Sequence, residues 1–163
     1  MLYKQCFDPV IDDRTRLLLA GSLPGEQSLA LRQYYGNPKN QFWRLMSAVV
    51  DGALVAQDYP ERLQALRQHG IGLRDVVAQA RRAGSLDTDI RARKDNDLHG
   101  LLARYPNIRG LAFNGVTAYR LGTALLGQRA NRYRLIALPS SSPAHTVPYA
   151  DKLMRWMVLR EAL

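Results

Sequence analysis

Two asparagines of this chain stand where a side-chain amide could do chemistry. Asn40 ends the stretch YYGNPKN and precedes the apolar residues of a predicted helix, and Asn114 ends the apolar run IRGLAFN. An amide accepts hydrogen bonds through its oxygen and donates through its nitrogen, so it can hold a water molecule or the polar edge of a ligand. Each has a structural alternative: Asn40 also suits an N-cap, and Asn114, followed by Gly115, also suits a turn.

Other polar residues that could act with these amides follow predicted strands. The segments GSLPG, FNG and LPSSSPAHT each leave an apolar run and are polar or rich in Gly. In an open parallel sheet, ligands bind beyond the carboxyl ends of the strands. The three segments are therefore predicted to converge on one site.

The elements that must position this site alternate between strands and helices, which predicts a parallel sheet covered on both faces. Predicted strands are RLLLAGS, IRGLAFNG and YRLIALPSSSP. Apolar residues at helical spacing predict an amphipathic helix from position 42 to position 50. Further helices are predicted in YPERLQALRQHG, NDLHGLLARYP, TAYRLGTALLG and PYADKLMRWMVLREAL, and IGLRDVVAQARRAG is interpreted as a brief strand or loop that runs into a helix.

Bulk composition is that of an ordinary globular protein. The chain has 163 residues, of which 47% are hydrophobic and 23% charged, so a single domain over residues 1–163 is expected. No run approaches the ~20 apolar residues of a membrane span, and the first residues do not resemble a secretory signal. The single cysteine, Cys6, permits no internal disulfide. The cytoplasm is the expected compartment.

Charge is more informative than composition. Lysine and arginine number 23 against 14 acidic residues, which gives a net charge of +9. The excess is concentrated in RRAGSLDTDIRARK and GQRANRYR. This balance favours a polyanionic partner such as nucleic acid, and a merely solvated basic surface is the alternative.

Several common functional motifs do not occur. The sequence has neither GxGxxG nor GxxxxGK[ST], so it gives no support to dinucleotide or P-loop nucleotide binding. The lack of GxSxG weakens an esterase interpretation of the serines in PSSSPAH. Three widely separated histidines and one cysteine do not predict a zinc site. No metal or cofactor is indicated.

The motifs GSLPG, YYGNPKNQFW, FNG and LPSSSPAHT, in this order and spacing, resemble those of the uracil-DNA glycosylase superfamily. The likeness extends to GIGLRDVV, RRAGSLDTDI and NDLHGLL, and it is closest to the hypoxanthine (deoxyinosine) DNA glycosylase branch. The resemblance implies an α/β fold, a three-layer α/β/α sandwich around a four-stranded parallel sheet, whose fourth strand is then expected in or before GIGLRDVV. It also implies a monofunctional glycosylase of base excision repair. Such an enzyme hydrolyses the N-glycosidic bond of a deaminated base, here hypoxanthine, and leaves an abasic site.

The resemblance assigns roles to residues in the first two motifs. Tyr35 matches the residue whose ring stacks on the extruded base, whereas Tyr34 is interpreted as a core residue. Many superfamily members position the attacking water with an Asp or Asn inside the first motif, but that position is Leu23, which has no hydrogen-bonding group. In the hypoxanthine branch the substitute matches Asn40. Ser22 and Leu23 are expected to contribute to the wall that holds the base.

Further roles follow for the later motifs. Asn114 matches a base-recognition residue, whose amide can donate to a purine O6 and accept from N1–H. LPSSSPAHT matches the loop that engages the DNA backbone, so Ser140, Ser141, Ser142 and His145, together with Lys39, are the predicted DNA contacts. Leu138 replaces the usual histidine of that motif. Arg74 stands where the branch carries an aromatic residue and is expected to change a pocket wall.

The expected partner is double-stranded DNA with a damaged or mismatched base, without a membrane, metal or cofactor, and the expected location is the nucleoid in the cytoplasm. Three alternatives stay open. One is a uracil or mismatch-specific glycosylase on the same scaffold. The second is a catalytically silent nucleic-acid-binding module, which the loss of a polar group at Leu23 favours. The third is a nucleoside hydrolase of α/β type, which would have no use for so basic a surface.

Overall fold

The computed structural model describes residues 3–163 and is built around a four-stranded parallel sheet. The strand order is β3-β2-β6-β7, so both neighbours of β2 are reached by crossover connections. The strands of this sheet are β2 (Leu17–Gly21), β3 (Ile71–Asp75), β6 (Gly110–Asn114) and β7 (Arg134–Leu138). All three strands predicted from apolar runs are present, and the fourth lies in GIGLRDVV, as expected.

Helices cover both faces of the sheet, which confirms the predicted three-layer α/β/α arrangement. They are α1 (Glu26–Leu31), α2 (Phe42–Val50), α3 (Tyr59–Gln68), α4 (Leu98–Arg104), α5 (Val116–Leu126) and α6 (Tyr149–Trp156). Strand β2 is buried on both sides: Leu17 and Leu19 belong to a core cluster with α2 and α6, and Leu18 and Ala20 belong to a second cluster with α4 and α5. This alternation explains the uninterrupted apolar run, since a parallel strand covered on both faces has no solvent side.

A second sheet was not predicted. Strands β1 (Tyr3–Gln5), β4 (Val77–Arg81) and β5 (Arg91–Asp95) form an antiparallel sheet in the order β1-β4-β5. The prediction of a helix after GIGLRD is therefore wrong. The segment VVAQAR pairs with Tyr3–Gln5 on one side and with Arg91–Asp95 on the other.

The helix ends mostly follow the sequence signals. Gly70 closes α3 with a φ of 73°, a left-handed conformation that glycine adopts without strain. The predicted closing helix is shorter than expected, because α6 ends at Trp156 and Met157–Ala162 continue as a 3-10 helix. Among residues 3–163, no helix is both long and apolar enough to cross a membrane.

Candidate active site

The carboxyl edge of the parallel sheet carries a row of four residues in register. Gly21 of β2 pairs with Asp75 of β3, Ala20 pairs with Phe113, and Asn114 of β6 pairs with Leu138 of β7. Residues in register on parallel strands point to the same face of the sheet. Asp75 and Asn114 therefore stand on either side of Gly21 and face the same way.

A cavity of about 440 Å³ opens above this row. The strand-end segments predicted to converge do so: GSLPG, Asn114 and the serine loop all line the cavity. The lining includes nine of the ten residues predicted for the site and three carboxylates that were not predicted, Glu26, Asp75 and Asp87. The predicted residues at the cavity are Ser22, Leu23, Tyr35, Asn40, Asn114, Ser140, Ser141, Ser142 and His145.

Tyr35 reaches the cavity from a strained backbone position. Its φ is 55°, in the left-handed region that non-glycine residues rarely adopt. The ring stacks on Phe42, with the centroids 3.8 Å apart and an interplanar angle of 17°. Phe42 is fully buried at the start of α2 and supports one face of the Tyr35 ring. Burial of Tyr35 raises the pKa of its hydroxyl.

The neighbouring aromatic residues have structural roles, as predicted. Tyr34 is buried, and its hydroxyl donates to the carbonyl of Asp8 at 3.0 Å. Trp43 is buried, and its indole N–H donates to the carbonyl of Tyr34 at 3.2 Å. These bonds hold the Tyr34–Tyr35 step against α2.

Asn40 makes the N-terminal helix bond that its sequence position allowed and also lies at the cavity. Its Oδ1 accepts from the backbone N–H of Phe42 at 3.0 Å, which helps to begin α2. The side chain also lines the cavity that holds Tyr35 and Asn114. The bond to Phe42 uses one lone pair of Oδ1, so a second lone pair and the Nδ2 donor are left for other partners.

Asn114 is committed to the serine loop. Its Nδ2 donates to Oγ of Ser141 at 2.8 Å, and its Oδ1 accepts from the N–H of Ser141 at 2.8 Å. The turn-stabilising alternative for Asn114 is thus present in the structure, and one N–H and one lone pair of the amide remain. Ser141 is fully buried, and its carbonyl accepts from the N–H of Gln41. The hydroxyl of Ser141, a predicted DNA contact, thus lies inside the loop and accepts from Asn114.

The rest of the serine loop forms one wall of the cavity. Ser140 and Ser142 are half-buried, His145 is exposed at the rim, and Lys39 is exposed outside the cavity lining. A second lysine lies nearby that the sequence analysis did not consider. Lys152 of α6 is buried, its Nζ donates to the carbonyl of Ser142 at 3.3 Å, and burial lowers its pKa.

The opposite wall is formed by the GSLPG loop and the segment that follows β4. Ser22 donates to Oδ1 of Asp87 at 2.6 Å, and burial raises the pKa of that carboxyl. Leu23 packs into the core and offers no polar side-chain group, as expected. Arg82 is buried and donates to the carbonyls of Pro24 and Gly84. One arginine of the predicted basic surface is therefore an internal clamp that holds this wall.

Asp75 is the functional candidate that the sequence analysis missed. It is 3% exposed, lines the cavity and ends strand β3. The signal was present, because a carboxylate that ends a buried strand should face the same site as Asn114. The sequence pattern did not define where that strand ends, so it did not place Asp75 at the edge of the sheet.

Arg74 does not line the cavity, because it points to the other face of β3. Its guanidinium donates to the carbonyl of Phe7 at 2.9 Å and to Oδ1 of Asn96 at 2.8 Å. The expected change to a pocket wall is therefore wrong. Within residues 3–163, no cluster of three His, Cys, Asp or Glu side chains is arranged to hold a metal ion.

The fold and this cavity define an α/β protein whose site lies at the carboxyl edge of a parallel sheet. Residues 9–160 match the model of the uracil DNA glycosylase superfamily, and the chain belongs to that superfamily. The family predicted from the four motifs is thereby confirmed.

Individual relatives agree over nearly the full chain. A hypoxanthine DNA glycosylase of Methanosarcina barkeri is 38% identical over 153 residues, which cover 94% of this chain and 95% of that protein. One from Methanosarcina acetivorans is 38% identical over 144 residues, covering 88% and 89%. A solution NMR structure of a candidate uracil DNA glycosylase from M. acetivorans is 36% identical and superposes with a TM-score of 0.87 over 99% of both chains.

Proposed function

We propose that this protein is a DNA glycosylase that removes hypoxanthine from DNA. The superfamily membership and the two hypoxanthine DNA glycosylases at 38% identity support this reaction. The reaction is hydrolysis of the bond between the base and the sugar, and it yields a free base and an abasic site. The substrate base is rotated out of the duplex into the cavity, because it cannot be reached inside the stack.

The observation that carries the proposal is the shared cavity of Tyr35, Asn40 and Asn114. Tyr35 stacks on the extruded base, an interaction worth about 1–3 kcal/mol per base. Its support by Phe42 means that the ring needs no reordering when the base enters. Asn40 holds the attacking water with its second lone pair, while its first keeps α2 in place.

Asn114 contributes to base recognition through the N–H and the lone pair that its bonds to Ser141 leave. Its orientation is fixed, because both amide atoms are anchored to one buried residue. The contact to the base is therefore a preorganised one, in which little side-chain entropy is lost on binding.

DNA contact at the rim is assigned to Ser140, Ser142, His145 and Lys39, whose side chains can donate to phosphate oxygens. The net charge of +9 supplies a sequence-independent attraction to the backbone. Because this attraction depends on counterion release, affinity for any duplex should fall steeply as the salt concentration rises.

The test of the proposal is base release by Asn40→Ala under single-turnover conditions with a deoxyinosine duplex. We expect the rate to fall about 10²–10⁴-fold while duplex affinity is retained, because the variant loses the group that orients the water. Asn107→Ala is the matched control, since Asn107 is a remote asparagine whose amide donates to the carbonyl of Asp13. Equal rates for Asn40→Ala and the parent would remove Asn40 from the mechanism.

A uracil-directed activity is the second candidate, which the name of the M. acetivorans structure favours. Duplexes with hypoxanthine, uracil or xanthine at one position discriminate between the candidates. Faster release of uracil would overturn the choice of base. If no base is released from any of the three, the protein is a binding module and the proposed reaction is wrong.

A further inference from the structure

Asp75 is a buried polar residue of the cavity with an unpartnered side-chain oxygen. No donor among residues 3–163 bonds to its Oδ2, which is completely buried. A buried carboxylate oxygen without a hydrogen bond is costly, so such groups are rare unless a ligand uses them. Three other polar side chains of the lining are engaged: Asn114 with Ser141, Ser22 with Asp87, and Asn40 with Phe42.

The position of Asp75 is set by Gly21. A Cβ at position 21 would lie 2.7 Å from Oδ1 of Asp75 and 2.9 Å from the hydroxyl of Tyr35. Oδ1 of Asp75 and the hydroxyl of Tyr35 thus both lie close to Gly21, at the floor of the cavity. A planar base that lies on the Tyr35 ring brings its edge to that point.

We propose that Asp75 is the general acid that delivers a proton to a ring nitrogen of the departing purine. This inference rests on the proposed function. The C1′–N9 bond breaks and its electron pair goes to the base, while the proton of Asp75 adds to N7 or N3. Water adds to C1′ and releases one proton to solvent, from which Asp75 is protonated again. The net reaction consumes one water and yields hypoxanthine and an abasic sugar.

The electrostatics of the cavity allow Asp75 to carry this proton near neutral pH. Burial raises the pKa of Asp75, the positive charges of Arg74 and Arg82 oppose the shift and Asp87 adds to it, and the resulting pKa is about 7. The titratable neighbours Tyr34 and Tyr35 stay neutral because burial raises the pKa of each hydroxyl. A general acid works best when its pKa lies close to the working pH, since it must hold a proton and also release it.

The other acidic groups of the cavity are less suited to this role. Asp87 already accepts from the hydroxyl of Ser22 and lies beside the GSLPG wall. Glu26 is exposed and accepts from Nζ of Lys4 at 3.1 Å. His145 is exposed at the rim, on the same side as the DNA contacts. Asn40 and Asn114 are amides and carry no proton that they could release.

Single-turnover base release from a deoxyinosine duplex between pH 5.5 and 9 tests the proposal. The parent rate should fall as the pH rises through about 7, because Asp75 must be protonated to act. Asp75→Asn should be about 10²–10⁴-fold slower and should lose that limb of the pH profile, while duplex affinity is unchanged. Asp89→Asn removes the same charge outside the cavity lining and should behave as the parent does.

Two substrate analogues locate the proton. Duplexes with 7-deaza- or 3-deazahypoxanthine lack one ring nitrogen each. The analogue without the accepting nitrogen should slow the parent to the rate of Asp75→Asn, and it should not slow that variant further. The slowing of the parent on one analogue and not on the other is measured without the variant, so this part of the test stands even if Asp75→Asn fails to fold.

Several outcomes would overturn the assignment. Asp75→Asn within threefold of the parent, a parent rate that does not change across the pH range, or equal parent rates on deoxyinosine and both analogues would each show that Asp75 donates no proton. In all three cases the parent still releases hypoxanthine, so the proposed function survives. A parent that releases no base from any duplex would overturn the proposed function itself, and this inference with it.

Discussion

The two polar residues that flank Gly21 share an edge of the sheet but differ in what surrounds them. On one side, Asn114 gives both of its amide atoms to buried Ser141, 27 residues later in the chain. On the other side, the buried Oδ2 of Asp75 receives no hydrogen bond from the described residues. A buried group anchored by hydrogen bonds has a fixed position and only part of its bonding capacity left, whereas one without such bonds keeps that capacity for a ligand. The comparison separates a residue that is fixed by the protein from one that is left free for the base.

The same contrast runs through the two walls. Arg82 supports the GSLPG wall through backbone carbonyls, and Lys152 supports the serine loop through the carbonyl of Ser142. Both side chains are buried cations that contact backbone oxygens. Polar contacts from outside the cavity thus fix the two walls, whereas the buried Oδ2 of Asp75 at the cavity floor has no hydrogen-bond partner among the described residues. Unfolding free energies of single variants test this division, since residues that fix the walls should stabilise the fold and Asp75 should not.

The largest effect is expected for Arg82→Met. It leaves the carbonyls of Pro24 and Gly84 without their donor and Asp87 without a nearby positive charge. We expect a loss of about 3–5 kcal/mol in the free energy of unfolding, the range seen when one member of a buried charged network is removed. Urea denaturation measures it. Arg129→Met, at an exposed arginine, is the control, and a loss equal to that of the control would show that Arg82 is no clamp.

Asp75→Asn, in contrast to Arg82→Met, should raise the free energy of unfolding at high pH. The pKa of Asp75 is about 7 in the folded protein and about 3.9 in an unfolded chain. Between these values the folded protein holds a proton that the unfolded chain has released, so its stability falls as the pH rises through this window. Asp75→Asn removes that fall. It should match the parent at pH 4 and exceed it at pH 8 by about 4 kcal/mol, since each pKa unit between the two values corresponds to about 1.4 kcal/mol.

Denaturation curves at the two pH values provide the check. A variant less stable than the parent at pH 8 would show that ionised Asp75 is a structural group, and the contrast with Asn114 would then be lost.

Asn114→Ala should cost about 2 kcal/mol, because it leaves the N–H and the hydroxyl of buried Ser141 without partners. Ser141→Ala should cost less, since the main-chain bond to Oδ1 survives. A double-mutant cycle over the pair measures their coupling. Additive losses would mean that the two side chains do not act together.

The smallest effect is expected at Asn40. Asn40→Ala should lose about 1 kcal/mol with the bond to the N–H of Phe42, whereas Asn40→Asp keeps the acceptor and should lose less. Thermal melts of the two variants give the difference. A loss well above this value would mean that the fall in activity of Asn40→Ala comes from unfolding, and only a small loss isolates its chemical role.

Much of the parallel sheet could be predicted because its strands are locally distinct. The run Leu17–Gly21 is apolar throughout and stops at a turn, and Phe42–Val50 has a clear helical period. The convergence of strand ends follows from topology alone. The family motifs added the identity of the candidate residues, which spacing by itself did not supply.

The antiparallel sheet could not be predicted, because its strands lack a local signal. VAQAR is rich in Ala, Gln and Arg, which favour helices, and it forms a strand only through its pairing with Tyr3–Gln5 and Arg91–Asp95. The bond of Asn114 to Ser141 and the burial of Arg82 likewise depend on residues distant in sequence. Such contacts decide whether a polar side chain has a hydrogen-bond partner in the folded protein, and composition does not predict them.

Gly21 has a consequence for how this protein can change over generations. Even a methyl group there would collide with Asp75 and Tyr35, so the spacing between acid and ring is set by an atom that is missing. A side chain at position 21 would require Asp75 or Tyr35 to move, so substitutions there should be selected against. Variants with altered base preference are expected instead along the perimeter, for instance at Leu86 or Thr88, where side chains are exposed and have room to vary.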